Sequence, residues 1–257
     1  MIHFKRLALG AALLVAMGQA QAQTIATLPV ISIETGSVSW STTQAGIVFD
    51  VLSIEQGVLG TKGQFNSEPG AFELDWDFTF KIDPFIVSTI GLNNLSASAQ
   101  NFTVNATLPT NTGGVSTRQG GSIAVTVIDR NGNSTATLDV SSLPGATPGI
   151  YQARIDGAPQ IDLLGATLTC SGGPFCSTST SDFTGLSAVG VLSAAVFGLP
   201  GPAVASNIQL QLQFNLSAGD RVQISSLYEV VPVPVPPALP LLGSALAALV
   251  LRRRRNA

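Results

Sequence analysis

Histidine is almost absent from this chain of 257 residues. The only one, His3, lies in an N-terminal segment that we expect to be removed. A chain without histidine has no Ser-His-Asp triad, no Cys-His pair and no histidine-ligated metal centre. Cysteine is nearly as scarce, and the two thiolates of Cys170 and Cys176 cannot complete a tetrahedral zinc site unaided. The sequence therefore predicts no catalytic residue, no cofactor and no metal site.

Positive charge is also scarce. Residues 23–230 contain six Lys and Arg side chains against fifteen Asp and Glu, a formal charge of −9, whereas the whole chain has −3. Phosphate contacts require clustered Lys and Arg, so we expect no nucleic-acid partner. The same span is long enough for a single core, and all-β domains of this size commonly form one domain.

Long hydrophobic runs are missing except for two short ones at the chain ends. Near the N-terminus, Lys5 and Arg6 precede an apolar stretch, 7–17, which is too short to cross a hydrocarbon core of about 30 Å as a helix. Ala20 and Ala22 occupy small-residue positions before a cleavage point. We therefore expect residues 1–22 to be a helical signal peptide that signal peptidase removes after Ala22, so that the chain is exported.

Export places the two cysteines in an oxidising compartment, where a disulfide is favoured over a metal site. Five residues, SGGPF, separate Cys170 from Cys176, and Gly172, Gly173 and Pro174 among them allow so short a loop to close. We expect a Cys170–Cys176 disulfide. It should stabilise the fold only modestly, because a disulfide that closes a short loop removes less conformational entropy from the unfolded chain than one that closes a long loop.

Residues 23–230 show the alternation of β-strands. Segment 72–82, FELDWDFTFKI, alternates without interruption, and segments 101–109 and 207–217 repeat the pattern. The residues predicted to face inward are Phe72, Leu74, Trp76, Phe78, Phe80 and Ile82; Phe102, Val104, Ala106 and Leu108; and Ile208, Leu210, Leu212, Phe214 and Leu216. Only segment 184–198 approaches a helical period, and it carries several glycines. The pattern predicts an all-β fold, a jelly-roll-like antiparallel β-sandwich.

Three tight turns predict β-hairpins. Asn131-Gly132 supplies the positive φ angles that two-residue hairpin turns require. Asp156-Gly157 has the same signature. Ala218–Asp220 separates the strand at 207–217 from a second alternating segment, 221–231. We expect each of these turns to join two strands that pair with each other.

Carboxylates offer the remaining route to chemistry. Glu73, Asp75 and Asp77 share the polar face of one strand, with neighbours about 6.5–7 Å apart. That spacing suits a paired-carboxylate glycosidase or a calcium site, but it equally describes a solvated strand face, which we favour. Segment 129–139, DRNGNSTATLD, hints at calcium, yet Gly132 is misplaced for an EF-hand. Five Asn-X-Ser/Thr sequons make glycosylation possible and begin at Asn94, Asn101, Asn105, Asn133 and Asn215.

The C-terminal residues 231–257 combine three elements. A proline-rich spacer favours an extended backbone, and a short apolar helix, Leu239–Leu251, would reach only about 20 Å. Four arginines then keep the terminus cytoplasmic under the positive-inside rule and leave residues 23–230 outside. The helix carries Leu239, Leu241, Leu242, Leu246, Leu249 and Leu251, and the cluster is Arg252, Arg253, Arg254 and Arg255. A plain one-pass anchor is the alternative to a processed tail.

This tripartite order resembles the PEP-CTERM sorting signal, in its variant with a Val-Pro-Leu-Pro-like core. The core is matched by Val233, Pro234, Val235 and Pro236. The commonest form has Glu where this chain has Val235. The resemblance implies cleavage near the prolines by an exosortase, a membrane-embedded cysteine transpeptidase. It also implies a Gram-negative bacterium that makes exopolysaccharide, with transient insertion in the inner membrane before delivery to the cell surface or medium.

Three functions then compete for the sandwich. The first is a non-catalytic structural protein of the cell surface or biofilm matrix, associated with exopolysaccharide. The second is a carbohydrate-binding module, which would need exposed aromatic rings; Trp76 is predicted to be buried, which leaves Trp40, Tyr151 and Tyr228 beside the phenylalanines. The third is a carboxylate-based glycoside hydrolase or lyase that would use Asp75 or Asp77. The absence of nucleophile–base pairs favours the first.

Overall fold

The structure is a computed structural model, and it describes residues 28–35, 38–45, 50–53, 58–67, 70–81, 84–141, 149–185 and 198–233. Apart from one helical turn, α1 (Thr42–Ala45), the regular structure in these residues is strand. In chain order the strands are β1 (Val30–Thr35), β2 (Val38–Ser41), β3 (Asp50–Ser53), β4 (Val58–Asn66), β5 (Phe72–Lys81), β6 (Phe85–Asn94), β7 (Gln100–Pro109), β8 (Thr117–Ile128), β9 (Thr135–Asp139), β10 (Tyr151–Ile155), β11 (Ala158–Leu163), β12 (Leu168–Ser171), β13 (Ser177–Thr184), β14 (Leu199–Gly201), β15 (Asn207–Leu216) and β16 (Arg221–Pro232).

These strands form two antiparallel sheets of eight strands each. Sheet 1 has the order β11-β10-β15-β7-β1-β2, and β9 joins it by pairing with β15 and β12. Sheet 2 has the order β13-β8-β16-β6-β5-β4-β3, and β14 also pairs with β8. Along the chain, β7, β9–β12 and β15 of sheet 1 alternate with β8, β13–β14 and β16 of sheet 2. This repeated crossing is jelly-roll-like, and the predicted antiparallel β-sandwich is confirmed.

The core lies between the two sheets and contains the side chains that the alternation predicts. Phe72 of β5 packs edge-on against Phe102 of β7 at 5.7 Å between ring centroids, and Phe102 lies 5.8 Å from Phe214 of β15. This chain of rings joins the sheets. Burying each such side chain contributes about 1.5–3 kcal/mol relative to leaving it in water. The inward faces of β5, β7 and β15 are buried as predicted, while Ile82 lies outside the described residues.

One of the three predicted hairpins is confirmed and two are wrong. β10 pairs with β11 around Asp156-Gly157. However, β8 belongs to sheet 2 and β9 to sheet 1, and β15 and β16 are divided in the same way. The turns at Asn131-Gly132 and at Ala218–Asp220 are therefore arches that carry the chain across the core. Period-two alternation cannot separate the two cases, because a strand buries one face whether its successor pairs beside it or lies opposite.

Several predictions fall outside the described residues. These are the signal peptide at 1–22, most of segment 184–198, and the tail beyond Val233 with its proline core, apolar helix and arginine cluster. Within the described ranges, no helix is long and apolar enough to cross a membrane.

Candidate functional site

The acidic face of β5 lies on the outside of sheet 2, as predicted. Asp75 accepts a hydrogen bond from Arg221 Nη2 at 3.2 Å, and this pair reaches across β6. At the crossing point β6 has Gly91, where a Cβ would overlap Asp75 Oδ2 and Arg221 Nη2. The Asp75–Arg221 ion pair therefore lies over Gly91, where the absence of a side chain leaves room for it.

Two further carboxylates share this face. Glu73 accepts a hydrogen bond from Asn93 Nδ2 at 2.8 Å and lies 3.6 Å from Arg130 Nη1. Asp77 is exposed and directly opposite Lys62 of β4. A carboxylate-based hydrolase needs two carboxyl groups facing one bond. Here each carboxylate instead lies beside or opposite a cation of its own: Glu73 beside Arg130, Asp75 beside Arg221 and Asp77 opposite Lys62. In the part of the chain that the structure describes, no group of three His, Cys, Asp or Glu side chains is placed to hold a metal ion.

The aromatic rings that sequence analysis offered for sugar stacking are buried. Trp40 is 7% exposed and packs against Trp76, with ring centroids 5.0 Å apart. Tyr151 and Tyr228 are fully buried, and their hydroxyls donate to Leu227 O at 2.8 Å and to Gln119 Oε1 at 2.9 Å. The expectation that these three could be exposed was wrong, because each supplies a large ring to the core. Burial of Trp76 is confirmed.

Burial also governs the chemistry of the two tyrosines. Desolvation disfavours the phenolate and raises the pKa of Tyr151 and of Tyr228 well above the ordinary value. Gly121 of β8 lies against the Tyr151 hydroxyl, where a Cβ would overlap the oxygen. These hydroxyls therefore act as hydrogen-bond donors inside the sandwich, and neither is available as a nucleophile or base.

Among the described residues, the exposed aromatic side chains are two phenylalanines. Phe175 is 70% exposed in the loop between β12 and β13, and Phe183 is 52% exposed on β13. Phe175 has a φ of 61°, a left-handed conformation that is rare for a non-glycine residue. Its ring lies over Gly132, where an added Cβ would be 3.3 Å from Cζ.

The arch between β8 and β9 is organised by a buried carboxylate. Asp129 is fully buried and accepts hydrogen bonds from the backbone N–H groups of Gly132 at 2.8 Å, Ser134 at 2.9 Å and Phe175 at 3.0 Å. Burial opposes its ionisation, but the backbone donors outweigh burial and lower the pKa of Asp129. The calcium hint in segment 129–139 has this structural explanation, because its first carboxylate is occupied by N–H donors.

The arch between β15 and β16 contains a second buried carboxylate. Asp220 is fully buried and accepts from the Ser217 hydroxyl and, at 3.4 Å, from Arg130 N. Desolvation raises the pKa of Asp220 despite these donors. Asn131 Nδ2 donates to Ala218 O at 2.6 Å, so the two arches are joined directly. Both carboxylates stabilise turns.

The outer face of sheet 1 is lined by amides that bond to one another. Gln211 donates through Nε2 to Asn105 Oδ1 at 2.9 Å and accepts through Oε1 from Arg154 Nη2 at 2.6 Å. Asn215 Nδ2 donates to Asn101 Oδ1 at 2.7 Å. The sequon residues Asn101, Asn105 and Asn215 thus belong to this amide layer, whereas the sequon residue Asn94 is fully buried and Asn133 is exposed.

The predicted disulfide is present. Cys170 and Cys176 are bonded, with their Cα atoms 5.9 Å apart. The bond closes the loop between β12 of sheet 1 and β13 of sheet 2. Gly172 and Gly173 both have positive φ, 122° and 154°, as the short loop requires. The loop holds Phe175 at its exposed position.

β13 was not predicted from the sequence. The strand reads STSTSDFT and carries no apolar face, so the period-two search for buried residues missed it. Alternation of Ser with Thr between two turn-rich segments was the available signal. The chain matches no protein-family profile and no curated protein.

Proposed function

We propose that this chain is an exported structural protein of the bacterial cell surface or extracellular matrix, without catalytic activity. An exosortase would process it at a C-terminal sorting signal of the PEP-CTERM type. The proposal includes a signal peptide at 1–22, a sandwich at 23–230 and a sorting tail at 231–257. Signal peptidase and exosortase act as processing partners in this proposal, and exopolysaccharide is the expected neighbour.

The observation that carries the proposal is the position of the last described strand, β16 (Arg221–Pro232), relative to the proline core. β16 pairs with β8 up to Pro232, opposite Thr117, and Val233 N then donates to Ser116 O at 2.9 Å. The proline core continues from Val233 to Pro236. Cleavage after this point would leave every strand pair of the described sandwich intact, which a sorted and released surface protein requires.

The polar groups of the sandwich support a structural role. Asp75 is held by Arg221, Asp129 is occupied by three backbone donors, and the amides of sheet 1 bond to one another. Groups that are used in this way stabilise the fold and are not poised for acid–base chemistry. With Trp40, Tyr151 and Tyr228 buried, a carbohydrate-binding module would depend, within the described part of the chain, on Phe175 and Phe183.

The test is the intact mass and the C-terminal peptide of the protein recovered from the surface and medium of its host. We expect the chain to end within about residues 234–238. The matched control is a variant in which Pro234 and Pro236 are replaced by Ala, which should keep its tail and remain in the inner membrane. Recovery of wild-type protein that still carries Arg252–Arg255 would overturn the sorting proposal and indicate a plain C-terminal anchor.

Catalysis is tested separately. The purified protein is incubated with polysaccharide extracted from the same host, beside the Asp75→Asn and Asp77→Asn variants. We expect no depolymerisation by any of the three proteins. Depolymerisation by the wild type that is lost in either variant would overturn the non-catalytic assignment.

A further inference from the structure

Sheet edges differ in how well they are protected from pairing with another chain. Among the described residues, β2, β3 and β12 have four residues each and β14 has three. β11 contains Pro159, and its register with β10 shifts between Ala153 and Arg154. Short edge strands, prolines and bulges are the devices by which proteins prevent edge-to-edge association.

β13 has none of these three devices, and its one charged side chain, Asp182, accepts a hydrogen bond at 3.2 Å from Leu164 N, directly after β11 of sheet 1. It spans eight residues without proline, lysine or arginine, and it pairs with β8 in unbroken register from Ser177–Ile128 to Thr184–Gly121. No other strand of the described residues pairs with its free side. β13 is therefore a regular and nearly uncharged edge, which is a ready template for a further strand.

Two contacts show which backbone groups of β13 point away from β8. Cys176 O accepts from Asp129 N at 2.9 Å, so Cys176 turns its backbone toward the β8 side. Phe183 N donates instead to Oδ1 of Asp182 at 2.8 Å. Backbone direction alternates along an antiparallel edge strand, so odd-numbered residues face outward. The residues with outward N–H and C=O groups are Ser177, Ser179 and Ser181.

We propose that β13 pairs with β13 of a second copy of this chain, antiparallel, about a two-fold axis at Ser179. In this register Ser179 faces its own symmetry mate, and Ser177 faces Ser181 of the other copy. Each pair exchanges two backbone hydrogen bonds, so the contact forms about six. Sheet 2 of one copy continues into sheet 2 of the other.

The composition of β13 favours a second copy as the occupant. Its only charge, Asp182, lies opposite Cys176 of the other copy, and the two Asp182 carboxylates are about 20 Å apart at 3.4 Å per residue. Side chains that face each other between them are serine and threonine. Such hydroxyl pairs are favourable across strands, whereas like charges placed directly opposite would be unfavourable.

The exposed phenylalanines provide independent support. Phe175 and Phe183 flank Ser179 at equal separation in the sequence, and both are largely exposed. Antiparallel pairing centred on Ser179 places Phe183 of one copy next to the loop that carries Phe175 of the other, at both ends of the contact. Pairing would therefore cover two of the large apolar side chains that the single chain leaves in water.

This inference does not depend on the proposed function, because the contact uses only the folded sandwich. A single strand pair buries less area than a standard interface of about 1,600 Å². We therefore expect a reversible dimer whose fraction rises with protein concentration.

The test is sedimentation of the protein, purified from its host, over a concentration series. Ser179→Pro removes an outward N–H and leaves the bonds to β8 in place, as edge strands tolerate. Ser179→Ala is the matched control, because it keeps the N–H and loses only the hydroxyl. We expect the wild type and Ser179→Ala to dimerise and Ser179→Pro to stay monomeric. A wild type that is monomeric throughout, or a Ser179→Pro variant that dimerises like the wild type, would overturn the proposal.

A crosslink gives a second measurement if Ser179→Pro does not fold. Ser179→Cys places two thiols across the symmetry axis, at a Cα separation that a disulfide can bridge, about 5.5 Å in a hydrogen-bonded pair. The control is Ser225→Cys, which is exposed on the central strand β16 of the same sheet. We expect covalent dimers on mild oxidation of Ser179→Cys and not of Ser225→Cys. Equal crosslinking of the two variants would count against pairing through β13.

Discussion

Two turns of this protein have similar sequences but connect their strands differently. Each begins with aspartate and has Asp or Asn directly before glycine. At Asp156-Gly157 the chain reverses within sheet 1, and β10 pairs with β11. At Asp129–Ser134 the chain crosses from sheet 2 to sheet 1. Asp156 is exposed, and its carboxylate accepts from the backbone N–H groups of Ala205, Ser206 and Asn207, at the start of β15. Asp129 is fully buried, and two of its three donors belong to its own turn.

The comparison shows what an arch requires that a hairpin does not. A hairpin satisfies its backbone groups by pairing the strands that it joins. In an arch, the backbone N–H groups of the turn lie at the end of the core and have no partner strand to pair with. A side chain must therefore accept hydrogen bonds from them. Asp129 accepts these hydrogen bonds from within its own turn. Asp156 instead connects a hairpin, whose strands already pair, to residues 205–207.

Removing the arch carboxylate should have the largest effect. Asp129→Ala leaves the N–H groups of Gly132, Ser134 and Phe175 without their acceptor in a buried site, so we expect the Tm to fall by roughly 10 °C. Thermal unfolding monitored by circular dichroism measures the change. The Tm of Asp129→Asn, which keeps one acceptor oxygen, should lie between those of the alanine variant and the wild type. An alanine variant as stable as the wild type would show that the arch does not depend on this acceptor.

The disulfide loop offers a way to weaken the same arch from the other side, because it carries Phe175, the third donor to Asp129. Replacing both Cys170 and Cys176 by serine should cost about 2 kcal/mol for so short a loop. The effects should also be less than additive with Asp129→Ala, since both changes release the Phe175 N–H. Chemical denaturation of the two single changes and their combination measures this coupling. Strict additivity would contradict it.

How far sequence could predict these features follows from what each pattern records. Alternation records burial, so the inward faces of β5, β7 and β15 were predicted correctly. It does not record which sheet a strand joins, so both arches were taken for hairpins. Nor does it place isolated rings, and Trp40 proved to lie against Trp76 in the core. β13 was missed because an edge strand of serine and threonine buries no apolar face.

Removing the hairpin carboxylate should have a smaller effect. Asp156→Ala frees the backbone N–H groups of Ala205, Ser206 and Asn207, but these groups are at the surface and water can replace the acceptor. We expect the Tm to fall by roughly 3 °C, and the β10–β11 pairing should persist because the ladder does not depend on Asp156. Amide hydrogen exchange of β10 and β11 measures that persistence. Loss of protection along both strands would show that the hairpin needs its aspartate as much as the arch does.

The smallest effect should be a difference in pH dependence between Asp220, the second arch carboxylate, and Asp156. Burial raises the pKa of Asp220 above 3.8, so the folded state holds its proton more tightly than the unfolded state. Stability should therefore decline as pH rises from about 3.8 through the raised value. At Asp156, burial is outweighed by the donors at Ala205, Asn207 and Ser206, which lower the pKa to about 2. Its contribution is present above 3.8 and is lost as pH falls toward 2.

Measuring Tm from pH 2 to 7 separates these two signs. Asp220→Asn should remove the decline above pH 3.8 and leave the acid limb unchanged. Asp156→Asn should reduce only the acid limb, to which the lowered pKa values of Asp129 and Asp139 also contribute. Each change should amount to a few degrees at most, because solvent screens the exposed carboxylate of Asp156 and because Asp220 is a single group in a chain of this size. A pH profile of Asp220→Asn that runs parallel to the wild type would mean that the buried carboxylate ionises in the arch without penalty. In that case its donors from Ser217 and Arg130 would offset burial as fully as the donors to Asp129 do.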